Sequence, residues 1–416
     1  MADIIAYDTP PAPANMREAT YAVLAGFLGW TLDAFDFFLV VISLTVIAKD
    51  FGVADKRVAF SIAITLAFRP IGALIFGLLA DRYGRRIPMM IDLIFYSAVE
   101  VATAFTHSFT HFLILRALFG IGMGGEWGVG ASLVMEKVPP KWRGVLSGIL
   151  QEGYAFGYLL AAVAAYFLLD PNRPESWRPL FILGGAPALL ALLIRLFVRE
   201  SEVWEKSKAE SWSHLGSAIV KNWKIGLYLV LLMAMMNFSS HGTQDMYPTF
   251  LKRDHNLPQT TISILTAISM CGAIAGGIIF GLASDRFGRR YAMAVAFALG
   301  LLVIPLWAFA PSVALLAVGA FLLQFMVQGA WGVIPAHINE LAPDNVRGFL
   351  PGFAYQCGNL ISSTIGYLEA IYAAHLSYAK AMALMAATIF ALALVVTLLG
   401  REKHGVTFGE LDRFEE

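Results

Sequence analysis

A guanidinium, several carboxyls and one histidine stand inside long apolar runs of this 416-residue chain. An ionisable side chain at the centre of a helix in lipid costs about 2.5–3.5 kcal/mol on insertion scales, so each needs a partner or a task. Arg69 has the strongest claim to a task. It sits near the middle of the apolar run 57–80, beside Pro70, which is expected to loosen the helix locally. An arginine fork grips a carboxylate bidentately and keeps its charge when buried, whereas a lysine can lose it. Arg69 could therefore hold an anion, or it could form a structural pair with Asp33 or Asp36, at similar depth in the preceding run. Either aspartate, by neutralising the arginine in an empty site, would couple anion binding to proton binding.

Asn237, His241, Gln244 and Asp245 recur at i, i+4, i+7 and i+8, which is one stripe of a helix. Such a stripe between apolar flanks faces protein or water. His241 and Asp245, one turn apart, could share a proton, or could lock a helix that Pro248 would otherwise disturb. Glu126, Gln151, Glu152 and Tyr154 cluster by depth in two further runs, and Tyr355, Gln356 and Asn359 in another. Glu126 or Glu152 could carry a proton, because a carboxyl in a dry site can stay neutral at neutral pH; either could equally be a paired packing residue. Glu100 and Arg116, near the outer ends of adjacent runs, read as a structural ion pair.

The elements that must position these groups follow from composition. The chain is 58% hydrophobic and 14% charged, with mean hydropathy +0.67, whereas soluble domains carry roughly a quarter charged residues. Runs of about twenty apolar residues cross a hydrocarbon layer of about 30 Å as helices. Twelve are predicted, over 20–48, 57–80, 88–107, 109–135, 142–169 and 178–198, then 223–251, 259–284, 291–310, 312–338, 348–373 and 376–399. They are too long and too uniformly apolar for barrel strands, so the fold class is an all-α membrane protein with the lipid bilayer as its surroundings. Thirty basic against thirty acidic residues point to no polyanion, nucleic acid included. Cys271 and Cys357 form no metal or disulfide pattern and are expected as reduced, buried packing residues. The segment Met1 to Arg17 lacks the basic and apolar parts of a cleaved leader, and none is expected. Nineteen Lys and Arg fall in alternate segments that include both termini and eight in the others, which predicts both termini on the cytoplasmic side. The remaining three, Arg69, Arg116 and Arg195, lie within spans.

The sequence also repeats. GLLADRYGRR at Gly77 to Arg86 returns as GLASDRFGRR at Gly281 to Arg290, 204 positions on, and Trp127, Glu136, Arg143 and Gly144 find Trp331, Glu340, Arg347 and Gly348 at the same offset. A shared offset predicts two pseudo-symmetric six-helix halves, residues 1–198 and 223–416, joined by a polar linker, 199–222.

The duplicated G-x-L-x-D-R-x-G-R-R loop, with Arg116-x3-Gly120-x-Gly122, resembles the major facilitator superfamily across essentially the whole chain. The resemblance implies two six-helix bundles around a cavity that opens alternately to each side. It also implies that Asp81, Arg82, Arg85 and Arg86, their repeats Asp285, Arg286, Arg289 and Arg290, and Glu136, Arg143 and Arg347 form gating salt bridges on the cytoplasmic side. Within the seventh span, Asn237-Phe-Ser-Ser-His241-Gly-Thr-Gln244-Asp245-Met-Tyr-Pro-Thr249 is similar at every fixed position to the signature of Jen-type lactate and carboxylate proton symporters, relatives of sialate symporters. That likeness implies a substrate arginine at Arg69 and a substrate-selecting pair at Gln356 and Asn359.

Other apparent motifs fail on context. Gly120-x-Gly122-x-x-Gly125 fits a dinucleotide fingerprint, but it lies within an apolar helix, where small residues permit close packing. His107 and His111 lack a third ligand nearby, so no metal is expected. No H-E-x-x-H, G-x-S-x-G or Walker loop is present, so neither an enzyme nor a cofactor is expected.

The reading is proton-coupled symport of a small monocarboxylate such as lactate or pyruvate, by a monomeric multi-pass protein of the bacterial inner membrane. Moving an anion inward against an inside-negative potential costs about 2.3 kcal/mol per 100 mV, and one co-transported proton removes that cost. Each unit of pH gradient adds roughly 1.4 kcal/mol of drive. Sialic acid or a dicarboxylate is the alternative substrate, although a di-anion calls for more cations than Arg69. A transport-silent receptor of the same fold is expected to carry a long signalling tail, and Arg401 to Glu416 is short.

Overall fold

Among the described residues, ten helices are long and apolar enough to cross a membrane. In the computed structural model, which describes residues 16–409 except 171 and 210, they occupy ten of the twelve predicted spans. The first fifteen residues, which make up most of the segment read as free of a leader, lie outside the described set, as does the Arg195 side chain. Spans one to four are Met16–Phe51, Asp55–Tyr83, Arg86–Ala104 and Phe109–Lys137; spans eight to ten are Gln259–Phe287, Arg289–Phe309 and Val313–Leu341; the twelfth is Tyr378–Leu399.

The other four crossings are broken. The fifth is Arg143–Gln151 followed by Gly153–Leu168, and the eleventh Leu350–Ser362 followed by Ile365–His375. The sixth divides into Arg178–Leu183 and Pro187–Phe197, and the seventh into Trp223–Gln244 and Tyr247–Arg253. Prolines in the first turns of the trailing pieces, Pro187 and Pro248, account for the last two, since proline lacks the N–H a continuing helix would need. Pro70 behaves differently from expectation, because the second span runs through it as one helix.

Helix packing follows small residues. A Cβ added at Gly124 would lie 2.0 Å from the Arg69 carbonyl oxygen, and one at Gly72 only 1.7 Å from that of Ile121, so spans two and four touch backbone to backbone. This contact explains the discounted dinucleotide pattern: Gly120, Gly122 and Gly125 face Thr65, Tyr96 and Phe76. The second half repeats the contact at Gly276 against Phe325. Apolar side chains such as Ile71, Leu74, Leu299 and Leu302 point outward from the bundles, which suits lipid. The cysteine expectation is corrected: Cys271 is exposed and Cys357 only half-buried, because both lie on faces turned away from the cores.

Spans one to six pack as one bundle and seven to twelve as another. The bundles meet where the second and fourth spans touch Leu350–Ser362, and where Arg143–Gln151 touches the eighth and tenth spans. All these segments lie toward the face that carries the linker helices Glu202–Ser207 and Trp212–Lys221. The trailing halves Gly153–Leu168 and Tyr247–Arg253 pack within their own bundles. The cleft between bundles is therefore closed on the linker side and open on the far side.

Candidate functional site

Arg69 reaches the floor of this cleft from the second span and is 3% exposed. Its Nε and Nη2 have no hydrogen-bond partner, and neither Asp33 nor Asp36 closes an ion pair with it among the described residues. The guanidinium lies 5.7 Å from the centre of the Tyr355 ring, on the opposite bundle. Tyr355 is itself set among aromatic rings: Trp127 at 4.5 Å, Trp331 at 5.8 Å and Trp30 at 6.3 Å, with Tyr154 stacked on Trp30 at 5.5 Å. Trp127 and Trp331, the pair related by the repeat, thus converge on one tyrosine from the two halves. The result is an apolar floor beneath a single cation, a dry setting that strengthens any bond the cation makes to an anion.

Two polar groups flank the floor. In the seventh span, His241 Nδ1 lies 3.2 Å from Asp245 Oδ2, both side chains are open to the cleft, and the imidazole also bonds the Asn359 amide. Gln244 Nε2 donates to Gln324 Oε1 at 2.8 Å, and Gln324 Nε2 to Thr243 Oγ1 at 3.0 Å. Asn237, by contrast, is buried and donates to the Met233 carbonyl one turn back, away from the histidine. Gln356, one residue after Tyr355, is buried with neither amide atom partnered. A cleft of about 150 Å³ lined by Thr243, Gln244, Tyr247, Ser269, Trp307 and Gln324 lies inside the second bundle.

The first bundle holds the carboxyls. Asp33, Asp36 and Glu126 are fully buried, with no partner for any of their oxygens. Glu152 does not join them; it stands at the break in the fifth span, where its Oε1 lies 2.5 Å from the Cβ position of Gly277 on the opposite bundle. Arg116 bonds Glu100 and, at 2.9 Å, Thr103 Oγ1, with its plane over Phe119, so this charge is spent on structure.

The linker-side closure follows the repeat. Asp81 accepts from the backbone N–H groups of Gly348 and Phe349 at 2.7 and 2.9 Å, and its counterpart Asp285 accepts from those of Gly144 and Val145 at the same distances. Each carboxylate of one bundle thus caps the start of a helix in the other, where the helix dipole favours negative charge. Arg85 and Arg289 hold the capping aspartates from within each bundle and bond Glu136 and Glu340 at 2.9 and 3.0 Å. Arg143 and Arg347 cross between bundles to Glu340 and Glu136, each at 3.7 Å. The remaining loop arginines do other things. Arg82 donates to the Ala209 carbonyl in the linker and Arg290 to that of Gly400, Arg86 meets Glu200 through its backbone N–H, and Arg286 lies against Phe287.

The Phe408 ring fills the space between Arg143 and Arg347, 3.6 and 3.7 Å from their guanidiniums. Val406 accepts from Arg143 at 2.6 Å and Gly409 N–H donates to Asp344 at 2.8 Å, so the segment after the last span straps both bundles. Cation–π contacts contribute about 0.5–2 kcal/mol each. Phe408→Ala is therefore expected to weaken linker-side closure by about 1–3 kcal/mol. Spin labels at the exposed, repeat-related positions Tyr83 and Phe287 should then show an added longer-distance population; an unchanged distribution would remove the strap from the closure.

Sequence reasoning missed several residues of this region. Trp30, Gln324 and Gln328 are ordinary members of apolar runs, and uncharged amides carry little insertion penalty to betray them. Asp92 and Glu369, both fully buried and unpartnered, were overlooked because they lie near predicted span ends, where charges are common.

Comparison with known proteins gives the geometry a family. The chain is 29% identical over 416 residues to the carboxylic acid transporter protein homolog of Saccharomyces cerevisiae, covering 91% of this chain and 67% of that protein. It is 27% identical over 391 residues to the sialic acid transporter NanX of Escherichia coli, covering 92% and 94%. Among solved structures, the major facilitator proton:xylose symporter XylE superposes with a TM-score of 0.75 over 95% of this chain and 98% of that one, at 20% identity. The family described as sugar (and other) transporter matches residues 20–214 and again 212–401. The chain therefore belongs to the sugar (and other) transporter family: it is a multi-pass secondary transporter of the major facilitator fold and not an enzyme.

Proposed function

We propose that the chain is a Jen-type, proton-coupled symporter of a small monocarboxylate such as lactate or pyruvate. The carrying observation is the Arg69 guanidinium, which among the described residues closes no ion pair and keeps two nitrogens unpartnered, on an aromatic floor between the bundles. One fork and one cation suit one carboxylate, and the rings above and below suit a short apolar remainder. Tyr154, Tyr355, Gln356, Asn359, His241 and Gln244 complete the substrate wall, with Asn237 supporting the seventh span. Relatives named as carboxylic acid and sialic acid transporters favour an acidic substrate.

The proton is carried by buried carboxyls, with Asp33, Asp36 and Glu126 behind Arg69, Glu152 at the bundle interface and the His241–Asp245 pair at the cleft wall as its stations. Residues 1–198 and 223–416 rock about this site, joined by the linker 199–222. Asp81, Arg85, Glu136 and Arg143 with their repeats Asp285, Arg289, Glu340 and Arg347 gate the cytoplasmic side, and Arg82, Arg86, Arg286 and Arg290 tie the linker and tail to that gate. Both termini face the cytoplasm of a bacterial inner membrane, and the working unit is a monomer.

The test is uptake of labelled lactate into proteoliposomes with and without an inward-acid pH gradient. The gradient is expected to raise initial uptake several-fold, and excess unlabelled pyruvate to compete. Uptake indifferent to pH would overturn the coupling. Competition by sialic acid or a dicarboxylate but not by pyruvate would move the substrate to the larger acids.

A further inference from the structure

The first bundle contains more carboxyl groups than its cations can balance. Among the described residues, the buried guanidiniums Arg69 and Arg116 share this core with five buried carboxyls, Asp33, Asp36, Asp92, Glu100 and Glu126. Ions removed from water cost several kcal/mol each unless paired, so charge balance of this core requires bound protons. Arg116 and Glu100 satisfy each other, which leaves Arg69 with four acids.

Asp92 belongs to none of the roles assigned so far, yet helix register aims it at Glu126. On the third span, Met89, Asp92 and Tyr96 fall at i, i+3 and i+7, one face of the helix. Tyr96 packs on Gly122, its Cβ 2.5 Å from the position a Gly122 Cβ would take. The Met89 methyl lies 3.6 Å from the Cβ position of Gly130. Gly122 and Gly130 are one turn before and one turn after Glu126, so Asp92, between Met89 and Tyr96, faces Glu126 itself. The Glu126 carboxyl extends toward the first span, where Gly29 leaves it room: a Cβ there would lie 2.1 Å from Oε1. Tyr96 OH is fully buried without a partner, within electrostatic reach of Asp33, Asp36, Asp92 and Glu126. A hydroxyl so placed can accept a proton from one carboxyl while giving its own to the next. At 1.5 Å per residue, Asp92, Glu126 and Arg69 lie about 9, 17 and 21 Å from the linker-side ends of their helices.

We propose that Asp92 and Tyr96 form the inner leg of a proton path, running from Asp33 beside Arg69 through Glu126 to Asp92 and out to the linker side, separate from the substrate cleft. The step is proton transfer alone: none of these groups is hydrogen-bonded to another in this conformation, so a side-chain rotation or an intervening water brings them into contact, the Glu126 acid gives its proton to the Asp92 carboxylate through the Tyr96 hydroxyl or that water, and Asp33 supplies the next proton to Glu126. The groups facing Asp92 are Glu126 on the fourth span, Asp33 on the first and Tyr96 on its own, while Arg69 faces Asp33 and Glu126 from the second. This path rests on the proton-coupled reading above.

Asp92→Asn keeps the shape and removes the proton site. In proteoliposomes, net lactate uptake driven by a pH gradient is expected to fall at least tenfold, while lactate–lactate exchange at equal pH on both sides stays within threefold of wild type. Asp92→Glu should recover most of the net uptake. Equal losses of both activities would mark Asp92 as structural and overturn the proposal, as would net uptake within twofold of wild type. Where D92N yields no monodisperse protein, Tyr96→Phe carries the test: net uptake is expected to fall at least threefold with exchange retained, and unchanged net uptake overturns the path. A wild-type protein with no pH-driven uptake at all would instead remove the coupled reading on which the path stands.

Discussion

Arg69→Lys is expected to cut the kcat/KM for lactate uptake by about 100-fold or more, equivalent to about 2.7 kcal/mol. The substitution keeps a basic group at the same depth, so charge alone does not explain such a loss. Arginine offers a planar fork that bonds both oxygens of a carboxylate, while an ammonium is a point charge that sheds its proton more readily in a dry setting. The floor beside Arg69 is aromatic: its guanidinium lies against Tyr355, whose ring packs among Trp30, Trp127 and Trp331. Two of the guanidinium nitrogens are unsatisfied, which costs stability unless an anion completes them. Initial-rate kinetics checks this, with thermal melting as the folding control. Wild-type kinetics in R69K would take Arg69 out of the site.

Gly148→Trp is expected to bring uptake to background by a different route. A Cβ at Gly148 would stand 2.4 Å from the Gly277 carbonyl oxygen across the bundle interface, and one at Gly144 2.3 Å from that of Gly281. Neither side of these contacts is a flexible side chain that could yield. An indole at 148 leaves the linker-side closure no room, so the carrier should be held open there and unable to complete a cycle. Labels at Tyr83 and Phe287 should shift to longer distance as a whole population, beyond the partial shift expected for F408A. Uptake within twofold of wild type would show that closure at this interface is not required for transport.

Much of the architecture was legible because lipid imposes a coarse rule: runs of about twenty apolar residues become helices. The repeat at 204 positions carries further, since the sequence alone pairs Asp81 with Asp285 and Trp127 with Trp331. What the rule could not show was the break in the fifth span at Glu152 or in the eleventh at Ser363 and Thr364, because helix continuity depends on neighbours that a single run does not display. Depth in the run singled out Arg69, Asp33 and Glu126, which the structure brings into one neighbourhood. The same criterion passed over Asp92, whose place near a helix end disguised burial on a face packed against the fourth span. The motif by itself predicts a closure made of salt bridges. In the structure its central contacts are aspartates capping helix starts across the interface, a relation between distant segments that charge patterning does not encode.

The central claim is that a carboxylate and a proton cross together at one site. Proteoliposomes loaded with a pH-sensitive dye and held at equal pH on both sides measure this directly when labelled lactate is added outside. The account expects the lumen to acidify as lactate enters, with about one proton per lactate to offset the anion's charge, and both fluxes to vanish together in R69K. Lactate entering a lumen whose pH stays constant would contradict it.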